Sequence, residues 1–140
     1  MILGRAFLVW LAIILVESLH GILRATFLLP VAGDLRARQI GVVIGSALIL
    51  LVAYWSSRWL QVRAPGTLLW IGTLWVALTV TFEVALGRLA MNLSWERILA
   101  DYDITRGGLM LFGLLFLWIS PLFAAWLRSR SAGAVPNREG

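Results

Sequence analysis

Four long apolar runs, at about residues 6–28, 39–60, 67–90 and 108–127, limit this chain more than any other feature. Each matches the ~20 residues that a helix needs to cross the hydrocarbon of a bilayer. A backbone in that medium finds no water, so each run must satisfy its own hydrogen bonds as a helix. Together the runs use most of the 140 residues and leave no room for a soluble domain. A hydrophobic content of 61% and a mean hydropathy of +0.90 lie outside the range of ordinary soluble domains. The expected fold is all-α: a polytopic membrane protein whose four transmembrane helices form one bundle over residues 1–128. Residues 129–140 are small, polar and Pro/Gly-containing, and predict a disordered C-terminal tail.

The first run contains its own contradiction. Residues 16–24 read VESLHGILR, placing Glu17, the only histidine (His20) and Arg24 inside an otherwise apolar helix. At about 100° per residue these three and Gly21 share one stripe. An ionised group facing lipid is costly, so the stripe should face the bundle interior or a water-filled cavity. At about 1.5 Å per residue, Glu17 falls near mid-membrane and Arg24 about two turns closer to one surface. The third run offers a matching stripe in Thr79, Glu83, Gly87 and Ala90, rich in the small residues that let helices approach closely. Arg88 lies off it, nearer the boundary. Gly41 and Gly45 of GVVIG give the second run a small-xxx-small contact face.

The simplest arrangement gathers Glu17, His20, Arg24 and Glu83 into one intramembrane cluster. In a structural reading, Arg24 bridges the two glutamates and fixes helix register. In a functional reading, Glu17 and His20 exchange protons or bind a cation, since histidine titrates near neutrality and intramembrane ionisable groups mark pathways. The functional reading is the stronger of the two, and it points to ion- or proton-coupled transport or permeation. A non-catalytic accessory or assembly subunit is the first alternative. A lipid-modifying enzyme using the two carboxylates is the second, although no spacing selects a reaction. There is no catalytic residue to name.

The connections carry the remaining charge. Pro30 and Gly33 should break the first helix, with Asp34 as N-cap of the second. Asp34, Arg36, Arg38, Arg88, Asp103 and Arg106 should lie around the outer mouth of the bundle. Arg36, Arg38 and Arg106 sit at helix N-termini, where the dipole disfavours cations, so Asp34, Asp101, Asp103, Glu96 or a lipid headgroup should compensate them. Between the third and fourth runs, Trp95, Ile98, Leu99 and Tyr102 recur at helical spacing behind Ser94 as cap, predicting a short interfacial helix or one packed across the bundle mouth. A weak internal repeat links DLRARQIG with DYDITRGG and Glu17…Arg24 with Glu83…Arg88. It implies two similar hairpins related by an axis along the membrane normal.

Several classes drop out. The chain has no cysteine and a single histidine, which cannot build a zinc site, so no metal and no cofactor are expected. The net charge of +5 is spread along the chain, which argues against nucleic acid as a partner. The partners left are the lipid bilayer and a second copy or larger membrane complex. All twelve basic residues are arginine, which fits a GC-rich bacterial genome. Arg5 and the following AFLVWLAIILV resemble a signal peptide without a small-x-small cleavage site, so an uncleaved first helix is expected. Discounting Arg24 and Arg88 as intramembrane, the arginine bias places both termini in the cytoplasm of a bacterial inner membrane. The eight tryptophans are expected mostly at span ends and lipid faces.

Overall fold

The computed structural model describes residues 1–133. Four helices are long and apolar enough to cross a membrane: α1 (Ile2–Ala32), α2 (Asp34–Leu60), α3 (Pro65–Ala90) and α5 (Met110–Gly133). The short α4 (Trp95–Ala100) and a 3-10 turn at Ile104–Arg106 lie between α3 and α5. The protein is therefore an all-α, four-span membrane bundle with an extra helix before its last span.

The ends of the spans differ from expectation, for local reasons. Pro30 does not stop α1. It cannot donate to the Thr26 carbonyl, and its ring would crowd that carbonyl in a regular helix. The preceding turn, Arg24–Leu28, widens so that the Leu29 amide reaches the Arg24 carbonyl, and the helix continues to Ala32. The chain turns only at Gly33, whose φ of +80° suits glycine best. Asp34 is then the first residue inside α2 and makes no side-chain cap. At the other end, α5 runs on through Gly133, so residues 129–133 are helical and not a disordered tail. Residues 134–140 lie outside the described residues.

Extensive packing joins α1 to α2, α2 to α5 and α5 to α3, while a smaller contact between α1 and α3 closes the ring. Helices α2 and α3 are consecutive but pack little against each other. In this ring the corresponding helices of the two expected hairpins, α1 with α3 and α2 with α5, are neighbours, whereas an axis along the membrane normal would set them diagonally, so the packing does not reproduce the expected repeat. The first helix of each hairpin does end in a widened turn, Arg24–Leu28 in α1 and Leu86–Ala90 in α3.

The half of the bundle near the two termini, here the terminal face, is a dry core. Trp75 and Ile13 are its largest fully buried side chains. Trp75 and Trp10 lie inside, contrary to a belt role, and each buried indole N–H has an acceptor. Trp75 Nε1 donates to the Ala6 carbonyl (2.8 Å) and Trp10 Nε1 to Thr79 Oγ1 (3.0 Å). Gly72 brings α3 onto the α5 backbone: a methyl there would fall on the Trp118 carbonyl. Pro121 is buried mid-helix and leaves the Leu117 carbonyl without its usual donor. Ser120 Oγ donates to that carbonyl instead (2.8 Å).

Two arginines fasten the negative end of α2 at the terminal face. Arg128 donates to Ser57 Oγ (2.7 Å) and to the Tyr54 carbonyl (2.5 Å), with its guanidinium 4.5 Å over the Tyr54 ring. Arg5 donates to the Trp59 carbonyl and to Gln61 Oε1, both at 3.1 Å. Arg5 meets a last-turn carbonyl and Arg128 one a turn earlier, both toward the end of the helix where the dipole favours cations.

The Trp10–Thr79 bond gives a direct stability test. Thr79→Val should cost about 1–3 kcal/mol by leaving a buried indole N–H without a partner. In a Trp10→Phe background the same change should cost much less. Equal costs in both backgrounds, measured by equilibrium unfolding in mixed micelles, would mean that the bond is not made.

Candidate functional site

The polar groups of the membrane segment lie in the other half of the bundle, toward the face that carries α4. Glu17 is the midpoint of the 31-residue α1. One turn on, His20 Nδ1 lies 3.5 Å from Glu17 Oε2, a long contact for a charge-assisted bond. The two side chains are only 27% and 14% exposed, for Glu17 and His20 respectively. Glu17 Oε1 is buried with no hydrogen-bond donor among the described residues. The carboxylate is thus enclosed and incompletely partnered, at the depth where solvation matters most.

The seat for this stripe is the glycine pair of α2. A Cβ on Gly45 would stand 2.7 Å from Glu17 Oε2, and a Cβ on Gly41 would stand 2.6 Å from Arg24 Cδ and 3.8 Å from His20 Cε1. GVVIG is therefore more than a helix contact face. Its two missing side chains make room for two charged ones from α1.

Arg24 does not bridge the glutamates. Among the described residues it forms no ion pair with either acid. Glu83 is exposed rather than interior, and stands at the rim of the cluster. It still lies within Coulombic reach of Asp101, Glu17 and Arg24. Of the rest of its expected stripe, Thr79 and Gly87 are buried and Ala90 is exposed.

Above Glu83, the α4 face carries a charge network that sequence reasoning recovered only in part. Arg38 pairs with Asp34 (3.0 Å) and with Asp101, and Arg97 pairs with Asp101 (3.2 Å) and Asp34 (3.8 Å). Two acids thus offset the arginines near the positive end of α2. Ser94 caps α4 by accepting from the Arg97 amide (3.2 Å), and Ile98 packs onto Gly87, so α4 lies across the bundle mouth. Of the other mouth residues, Arg106 pairs with Asp103 (3.5 Å), Arg88 donates to the Leu93 carbonyl (2.8 Å), and Arg36 is exposed. Arg97 is the addition, while Asp101 was among the acids expected to compensate the mouth arginines. Its signal was the i, i+4 spacing of Arg97 and Asp101, but the partners lie more than 60 residues away.

Outside the span, two groups report on this layer. A hydrogen bond from Thr105 holds the Asp103 carboxyl below its ordinary range. Burial pushes the Tyr102 phenol above its ordinary 10.0, and the charges of Glu83 and Asp101 push it further the same way. The folded state then holds the phenolic proton more tightly than the unfolded chain does. The linked stability is complete below pH 10.0 and is lost as pH rises through the raised value.

Chemically, the arrangement offers a carboxylate and an imidazole in contact, with further ionisable groups stepping from mid-membrane to the α4 face. Among the described residues, no three His, Asp or Glu side chains gather as a metal cage. Tyr102 connects this ladder to a measurement. In a Tyr54→Phe background, the midpoint of tyrosinate absorbance should lie above pH 10.0, and Glu83→Gln should move it downward. A titration unmoved by Glu83→Gln would separate Glu83 from the α4 layer. No family model, curated protein or solved structure matches this chain.

Proposed function

We infer that this chain is a small ion- or proton-coupled transport or permeation protein. Glu17 is its protonatable centre, His20 the relay, Arg24 the tuning charge and Glu83 the second acid nearer the α4 face. The observation that carries this reading is the incomplete pairing of Glu17. A cluster built only to lock helices together would be expected to close its charges into pairs, because a buried unpaired charge is expensive. Here one carboxylate oxygen has no donor among the described residues, the other makes a long contact, and Arg24 pairs with neither acid. Such a carboxylate is free to take up a proton or a cation.

The two halves of the bundle give the reading a direction. Ionisable groups run from Glu17 through Glu83 to Asp101 and Arg38 at the α4 face. Below Glu17, Ile13, Trp10 and Trp75 form an apolar plug. Charge reaches Glu17 from the α4 face, and passage beyond it requires the terminal half to rearrange. In the proposed setting, a bacterial inner membrane with both termini cytoplasmic, the α4 face is the outer one. A second copy or a larger membrane complex would complete the pathway.

The same plug favours one other reading, an accessory or assembly subunit that conducts nothing. Vesicle flux separates the two. Wild-type protein reconstituted with a trapped pH indicator should carry protons. Glu17→Gln should abolish the flux, and Gly45→Ala should reduce it by displacing the carboxylate. Arg63→Gln, in the exposed connection between α2 and α3, should leave it unchanged. Full flux in Glu17→Gln refutes the assignment of Glu17. A wild type that carries nothing but co-purifies with a stable partner supports the accessory role.

A further inference from the structure

The outward side of α3 carries a cleft of about 510 Å³, turned away from the Glu17 stripe. It is a shallow depression, open along its length toward the surrounding lipid. Val80, Val84 and Ala85 line it together with Thr81, and Arg88 and Trp95 complete it. The Thr81 hydroxyl donates back to the Ala77 carbonyl (2.8 Å), so it is already committed to its own helix. The lining is apolar along the helix and cationic at one end.

That cation is held in place. Arg88 sits in the widened turn Leu86–Ala90, donates Nη1 to the Leu93 carbonyl and keeps its guanidinium 5.1 Å from the centre of the Trp95 ring. A guanidinium has five N–H donors, and the carbonyl takes one. Among the described residues no carboxylate pairs with Arg88. An ordered arginine and a tryptophan therefore stand at the end of a spanning helix, above an apolar slot that follows the helix into the membrane. The complementary molecule has an anionic phosphate at one end and a hydrocarbon chain at the other.

We propose that this cleft is a binding site for one anionic phospholipid, its phosphate on Arg88 and an acyl chain along Val84 and Val80. The site does not depend on the role assigned to Glu17. A free phosphate would use Arg88 but not the slot, and a second copy of the chain would need an acid opposite Arg88.

Native mass spectrometry of the full chain, released from neutral detergent, tests the site with phosphatidylglycerol, phosphatidylcholine and inorganic phosphate as probes. One phosphatidylglycerol should bind in preference to phosphatidylcholine, and excess inorganic phosphate should not displace it. Arg88→Gln should weaken phosphatidylglycerol binding by about tenfold, the loss of one charge-assisted contact, and Arg88→Lys should retain most of it. Val84→Trp should fill the slot and weaken both lipids. Arg88→Gln, a surface change, carries the test if Val84→Trp fails to fold. Equal binding of the two lipids, unchanged binding in Arg88→Gln, or displacement by inorganic phosphate would overturn the proposal. So would a dimer that excludes lipid and is broken by Val84→Trp, which would give the cleft to a second copy.

Discussion

An ionisable carboxyl group at the centre of an apolar helix has to be sheltered by protein, and the half of the bundle around it is arranged accordingly. Glu17 stands at the midpoint of α1, where the low dielectric makes an ion most costly. The shelter comes less from partners than from space. Gly45 and Gly41 withdraw their side chains so that Glu17 and the stem of Arg24 fit between α1 and α2. Glycine lowers helix propensity, a loss tolerated inside a membrane, where the only alternative for the backbone is an unsatisfied bond. His20 gives the carboxylate one contact, and the second oxygen receives no donor among the described residues.

The two ends of the bundle solve the helix-terminus problem in opposite ways. At the terminal face, Arg5 and Arg128 supply cations to the carbonyl end of α2. At the α4 face, Asp34 and Asp101 supply anions close to its amide end, and hold Arg38 and Arg97 there as well. The dipole of one helix thus orders charges on both sides of the bundle. Between them lies a division by depth. Tryptophans with satisfied indoles fill the terminal half, and ionisable groups occupy the α4 half. The widened turns of α1 and α3 both fall in that second half, beside Arg24 and Arg88, and such turns are frequent at functional positions.

The four spans were legible because length and hydropathy alone define a membrane helix. Which way each helix faces was much less so. In a soluble protein an amphipathic stripe identifies the core, but here lipid-facing and core-facing surfaces are both apolar and the stripe vanishes. Trp10 and Trp75 therefore looked like belt residues, although they are the buried centre of the terminal half. The polar residues of α1 kept their directional signal, so the Glu17–His20–Arg24 stripe was readable. Glu83 was expected to face the interior and is exposed instead, since one acid among small residues does not say how far a helix is rotated. Asp101 was expected as a compensating acid, but Arg97 joins the charge network through Asp34, far away in sequence, which no local spacing reveals.

In the function proposed above, Glu17 is reached from the α4 face alone. The natural absence of cysteine makes this directly measurable. Gly21→Cys places a thiol between His20 and Arg24 at a position with no neighbour within 4 Å to obstruct it, and Ala53→Cys places one in the fully buried terminal half. In sealed vesicles of known orientation, a membrane-impermeant thiol reagent should label Gly21→Cys from the α4 side only. It should leave Ala53→Cys unlabelled from both sides. A thiol at position 21 as inert as the one at 53, or labelled equally from both sides, would contradict the account.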